Sequence, residues 1–447
     1  MARTPSPRSA QARAPKQPTR PTAFVNARLI DPASGRDGPG GLLTQDGAIA
    51  DCGPSIKKDA VGSDFEIVDC RGKCLAPGLV DMRVQLREPG EEHKETIASG
   101  SAAAAAGGVT SMVCLPNTDP VIDDVAGVEF IARRARENRL SKVYCYGAIT
   151  RKLAGQELVE FGLLAESGAL AFTDGLHAVA DARVMLRALK YSTAFDVLMV
   201  QFPEEPALAR NGAMNAGELA TRLGLTGIAP QAEVMMIERD MHLLAMSGAR
   251  YHVSSLSTAA SVDAVRMAKA RGLNVTCDTA PHYFALDENE VGDYRTFAKV
   301  SPPLRRDTDR AAIAAAVADG TIDCVVSDHA PHDQDSKRVP FAQAASGVIG
   351  LETLLPVALE LVHKKQIDLI GLFRRLALAP ADLLRLPQGR LTKGAPADLV
   401  LFDPDTAWQV DPARMQSKSK NSAFDGRPVQ GRVLKTVVDG RIVFDAG

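Results

Sequence analysis

The chain has no surplus of charge of either sign. Its 52 basic residues against 54 acidic ones leave a net charge of −2. That balance gives no electrostatic footprint for nucleic acid or for an anionic membrane surface. Paired cysteines are missing as well. Cys52, Cys70, Cys74, Cys114, Cys145, Cys277 and Cys324 are scattered without CxxC or CxH spacing. An odd, dispersed set argues against a disulfide framework and for buried thiols in a reducing cytoplasm. No stretch suits a bilayer: the most Ala-rich run, residues 102–113, is short, weakly apolar and broken by Gly107-Gly108. No basic n-region followed by an apolar h-region opens the chain, so secretion is not expected. A phosphate-cradling glycine loop and a Ser/His/Asp order are also lacking.

What is present is a large α/β pattern. With 447 residues and 45% hydrophobic composition, the chain can build one large barrel plus a satellite domain. Residues 1–21 hold five basic residues, no acid and five prolines, which reads as a disordered basic tail. From Thr22 to about Cys74, short strand-like runs alternate with Gly and Pro turns, and residues 387–447 repeat that style. Two β-rich ends around a long middle predict one small β-sandwich built from both termini. Between residues 75 and 386, apolar strand candidates at about 111–115, 143–147, 169–172, 197–200, 251–253, 274–277 and 324–327 alternate with helical stretches. That spacing predicts βα units and a TIM (β/α)8 barrel.

The chemistry is expected where apolar runs turn polar. Residues 77–90 do so, ending in Arg87-Glu88-Pro89-Gly90, as a buried strand feeding a loop would. This stretch resembles the first metal-binding strand of the cyclic amidohydrolases, most closely the long-chain dihydroorotases. There it ends Asp-x-His-x-His-Leu-Arg-Glu-Pro-Gly, and both histidines hold zinc. Here Arg83 and Gln85 stand at the histidine positions.

The resemblance continues over nearly the whole chain after the tail. Leu115-Pro116-Asn117-Thr118 matches the family's Met-Pro-Asn-Thr, and Asn117 with Arg87 matches its substrate-carboxylate contacts. Phe172-Thr173-Asp174-Gly175 is similar to Phe-Ser-Asp-Asp-Gly and retains one carboxylate. Gln201 and Ser255 occupy the remaining two zinc-histidine positions. Lys299-Val300-Ser301-Pro302-Pro303-Leu304-Arg305 puts Ser301 where the family has a substrate-contacting asparagine. The last strand, Ser327-Asp328-His329-Ala330-Pro331-His332, is intact. The resemblance makes Asp328 metal ligand and general base, here vestigial, and His332 a substrate contact.

Ligand chemistry decides what the losses mean. A hydrolytic zinc needs about three protein ligands, usually imidazoles with a carboxylate. Gln and Ser are poor donors, and Arg cannot coordinate because it stays protonated. No metal or other cofactor is therefore expected, and Arg83 is expected to pair with Asp328 or Asp174 in place of the metal's charge. Each of the eight histidines taken alone reads as a packed residue.

Relatives with this pattern of loss are similar to the noncatalytic dihydroorotase-like chains that accompany aspartate transcarbamoylase. The resemblance implies a cytoplasmic pseudoenzyme, a structural partner of the aspartate transcarbamoylase catalytic chain in pyrimidine biosynthesis. Two alternatives stand beside it. One is an active cyclic amidohydrolase with a rebuilt metal site, which would need zinc or another metal. The other is a protein that binds a small carboxylate through Arg87 and Asn117 without turning it over.

Overall fold

The computed structural model describes residues 20–447, so the basic tail expected over 1–21 lies almost wholly outside the described residues. Strands Leu79–Val84, Val109–Cys114 and Lys142–Cys145 pair in parallel, as do Leu198–Gln201, Arg250–Val253, Val275–Thr279 and Cys324–Val325. Phe172 bridges Gly147 on one side and Met199 on the other, and His329 bridges Val84. These links close the two sheets into a ring of eight parallel stations, the barrel that the alternation predicts.

The strands read as near-continuous apolar runs because helices cover their outer face while the barrel interior buries the other. Leu79–Val84 and Val109–Cys114 are buried at every residue. The helix Ile97–Ala106 is almost all small residues, which lets it lie close against its neighbours. Thr96 caps it by accepting from the Ser99 backbone, and the Ser99 side chain returns the contact. It stops at Gly107, where an added Cβ would sit 2.1 Å from the Leu351 carbonyl oxygen. Only glycine fits that approach.

Both ends of the chain meet in one eight-stranded sheet. Its main path runs Arg441–Asp445, Pro428–Val438, Leu399–Gln409, Cys74–Pro77, Thr22–Asp31, Arg36–Gln45, Ala48–Gly53, and Glu66–Asp69 joins it on Thr22–Asp31. The small β-domain is thus composite, and Cys74–Pro77 is the seam, with an N-terminal strand on one side and a C-terminal strand on the other. Its own apolar cluster includes Phe24, Leu29, Leu42, Leu75, Leu399, Leu401 and Val437. Lys142 at the foot of a barrel strand ties the two parts, reaching buried Asp398 at 2.7 Å and Asp439 at 2.8 Å.

Candidate functional site

The polar side chains gather at the C-terminal ends of the barrel strands, where loops from neighbouring units converge. Arg83 lies at the centre, with 2% of its side chain exposed. Its Nε donates to Asp328 Oδ1 at 2.7 Å and its Nη1 to Ser254 Oγ at 3.1 Å. The guanidinium carbon sits 5.4 Å from the centroid of the Phe202 ring, a cation–π distance. The expected pairing of Arg83 with a retained carboxylate therefore falls on Asp328.

Asp174, the other carboxylate considered, is turned away. It accepts from the backbone of Ile149 and Thr150, each at 2.9 Å, and from the Thr150 hydroxyl. Those bonds satisfy it as a loop cap, so its pairing with Arg83 is corrected to a structural role. Burial still pushes its pKa up.

A second carboxylate escaped the sequence reading. Asp278, at the end of Val275–Thr279, accepts from the Ser255 backbone at 2.6 Å and from Ser254 Oγ at 3.3 Å. His252 Nε2 lies 2.9 Å from Oδ2, the same oxygen that Ser254 meets, with Nδ1 2.8 Å from Thr276 Oγ1. Arg83 is thus flanked by Asp328 directly and by Asp278 through Ser254. Phe202 escaped too. The available signal was position: Asp278 stands just before Thr279-Ala280-Pro281-His282, and Phe202 just after Gln201, both at barrel-strand ends.

Burial dominates the electrostatics. It pushes Asp328 up to about 6 even though Arg83 opposes the shift. Asp81, which accepts from the backbone of Arg83 and Ser327, is pushed to about 7 by the same cause. His282 is driven down to about 3 by burial and then by the Arg83 charge, so its ring is neutral. Its Nε2 lies 3.7 Å from Asp328 Oδ2 and has no hydrogen-bond partner.

The other expected site residues are present, but many are engaged internally. Gln85 accepts from Asn117 Nδ2 at 3.1 Å, and Gln201 accepts from the Val179 backbone at 3.3 Å. Arg87 donates from Nε to the Pro331 carbonyl at 3.1 Å and from Nη1 to Glu91 at 3.0 Å. His332 sits beside Arg87, its Nε2 2.9 Å from the Ser346 carbonyl and 3.2 Å from Arg87 Nη2. Burial and the neighbouring Arg87 hold His332 near 3, hence neutral. With Nε2–H donating to Ser346, the Arg87 contact is packing rather than a hydrogen bond. Ser301 is half-buried, next to Pro302, whose carbonyl accepts from Tyr283 Oη at 2.8 Å.

The backbone at the mouth keeps an uncommon conformation. Arg87, Ser255 and Asp328 have φ of 59°, 58° and 48°, in the left-handed region, at three strand ends.

The donor set does not fit a hydrolytic zinc. Among the described residues no three of His, Cys, Asp and Glu converge to hold a metal ion. Arg83 occupies the charge position beside Asp328, and Gln201 and Ser255 bring no imidazole or carboxylate.

A closed parallel barrel with polar strand ends and a composite terminal sheet is the architecture of the cyclic amidohydrolases. Solved structures agree at the level of fold. The L-hydantoinase (dihydropyrimidinase) of Arthrobacter aurescens matches with a TM-score of 0.85 and 24% identity, over 95% of this chain and 96% of that one. The dihydropyrimidinase of Brevibacillus agri matches with a TM-score of 0.82 and 21% identity, over 95% of each chain. A family model described as dihydro-orotase-like matches residues 72–261. The dihydroorotase of Anaplasma phagocytophilum is 46% identical over 428 residues, 95% of each protein. That of Geotalea daltonii is 45% identical over 416 residues, 93% of this chain and 97% of its own. The chain belongs to the dihydroorotase-like family. Among the described residues no helix is long and apolar enough to cross a membrane.

Proposed function

We propose that this chain is a non-hydrolytic member of the dihydroorotase family, acting in the cytoplasm in pyrimidine biosynthesis as a structural subunit beside the aspartate transcarbamoylase catalytic chain. One observation carries the reading: Arg83 is bonded to Asp328 inside the centre where relatives would need metal-bound water. Asp328 commits one of its two carboxylate oxygens to that guanidinium, and Arg83, which cannot coordinate a metal, takes the place beside it that a Lewis acid would need. Retained barrel packing with altered ligands suits a chain kept for its surface. The oligomeric partner rests on the family resemblance.

The relatives' shared name supports a second reading, and supports it better than it supports the structural subunit. At 46% identity over 95% of the chain, an active dihydroorotase is the direct inference from similarity. In that reading the mouth residues rearrange and a metal enters. One preparation separates the two: purified chain, with and without aspartate transcarbamoylase catalytic chains, taken through light scattering, metal analysis and a dihydroorotase assay. A large mixed assembly with little metal and no turnover supports the structural subunit. Stoichiometric metal with turnover, abolished by chelator, would replace it with the enzyme. A third reading, binding of a small carboxylate without turnover, draws on Arg87 and Asn117 at the same mouth.

A further inference from the structure

The ring of strands closes where its first and last stations meet, at the bridge between Val84 and His329. In sequence these two stations lie at opposite ends of the barrel, and a segment of the terminal sheet holds them together. Between strands Leu399–Gln409 and Pro428–Val438, residues 415–421 leave the sheet and lie over this closure. We propose that residues 415–421 are a pH-sensitive strap, which releases the loop carrying His332 when Glu352 ionises. The inference is independent of whether the centre hydrolyses a substrate.

The strap grips both stations. On the first side, Glu95 accepts from the Ser417 hydroxyl and from the Lys418 backbone at 3.1 Å, and the Lys94 carbonyl accepts from Ser419 Oγ at 2.7 Å. On the last side, Asn421 Nδ2 donates to the Ala330 and Gly347 carbonyls at 3.0 and 3.1 Å. Its Oδ1 accepts from the His332 backbone at 3.0 Å, and its carbonyl from the Ile349 backbone at 3.1 Å. One residue makes all four of these bonds, so lifting the strap frees residues 330–349 together.

The start of the strap is held by half-buried Glu352, just before helix Leu354–His363. The backbone N–H groups of Gln416 and Ser417 both donate to one oxygen, Oε1, at 2.8 and 3.2 Å. That leaves Oε2 for a proton, as in a neutral acid whose carbonyl oxygen takes both bonds. Three titratable groups face this carboxyl: Glu95 from the loop before helix Ile97–Ala106, Lys420 from the strap, and His329, which lines the same cleft. Lys420 is turned onto the Met415 and Ser417 carbonyls, at 2.7 Å each. Glu95 is fully buried, yet its bonds to His329, Ser417 and Ser99 outweigh burial and hold its pKa down, so it stays charged. Burial, with that neighbouring charge, pushes Glu352 up to about 7 against its bonds to the strap.

The direction follows. A closed strap holds a proton that an open one, with Glu352 in water, gives up. Closure is therefore tightest below the ordinary glutamate range and weakens as pH rises to about 7. From pH 6 to pH 8 the opening equilibrium should rise about tenfold.

Hydrogen exchange on the full chain, corrected for the intrinsic rate at each pH, tests this. The amides of Gln416, Ser417, His332 and Ile349 should open about tenfold more often at pH 8 than at pH 6. They should also exchange faster than those of strand Val109–Cys114, as a local opening requires. Glu352→Gln keeps the carbonyl acceptor and cannot ionise, so it should remove the pH dependence. A flat wild-type profile, protection equal to that of Val109–Cys114, or a rise that survives in Glu352→Gln would each overturn the strap. A response at residues 416 and 417 without one at 332 and 349 would overturn the release of the mouth loop. The wild-type series decides by itself if the variant does not fold.

Discussion

Replacing Arg83 by methionine tests the centre at its hinge. The side chain is 2% exposed and Asp328 9%, so the pair is desolvated on both sides. Removing one partner of a buried pair leaves an uncompensated charge and costs roughly 3–5 kcal/mol. For a chain of this size the unfolding entropy is about 0.9 kcal/mol/K, so the melting temperature should fall by about 3–6 °C.

The penalty depends on pH in a defined direction. Asp328 is raised to about 6 in the native protein, above its unfolded value. The native state therefore holds more protons, and this group's contribution to stability is lost as pH rises through that window. Without Arg83, whose charge opposes the rise, the native value climbs further and the window widens upward. The variant's deficit should be small near pH 5 and grow toward pH 8, by up to about 1.4 kcal/mol per pH unit.

The double variant Arg83→Met/Asp328→Asn should recover a large part of the loss, because the orphaned charge goes with its partner. Urea denaturation of the wild type, both single variants and the double variant at both pH values measures the coupling. A deficit below about 1 kcal/mol at pH 8, or strictly additive single losses, would refute the picture of a charge-bearing centre.

Two further substitutions follow from the packing. Lys142→Met leaves Asp398 buried without its cation, since Lys142 bonds it at 2.7 Å where the barrel meets the terminal sheet. It should cost about 3 kcal/mol by denaturant titration and loosen the sheet's protection in hydrogen exchange; unchanged protection would refute it. Lys337 has 2% exposure and gives its Nζ protons to the carbonyls of Ala345, Thr296 and Lys299 at 2.6, 3.2 and 3.4 Å. Lys337→Met should speed amide exchange across residues 333–347 and cost roughly 1–3 kcal/mol, whereas exchange at the wild-type rate would show that the loop is held by other contacts.

The barrel was legible because its signals are local. Runs such as residues 109–114 are apolar throughout, and a strand buried on both faces needs that composition. Arg83 was legible for another reason: a permanent cation in a buried strand must meet a carboxylate, and Asp328 ends a neighbouring strand. The fate of Asp174 was not. Its partners are the backbone N–H groups of Ile149 and Thr150 and the Thr150 hydroxyl, and no side-chain pattern announces a carboxylate that caps another loop. Asp278 was missed because its role arises from His252, Ser254 and Ser255 on the adjacent strand, a relation set by register.

The seam strand Cys74–Pro77 has a consequence for how the molecule is made. On one side it pairs with Thr22–Asp31, and on the other it waits for Leu399–Gln409. Residues 79–325 of the barrel leave the ribosome before that second neighbour exists. Until it arrives, a short apolar strand presents an open row of backbone donors and acceptors. A chain cut short before residue 399 would carry that raw edge permanently, so early termination should yield aggregates rather than a free-standing barrel.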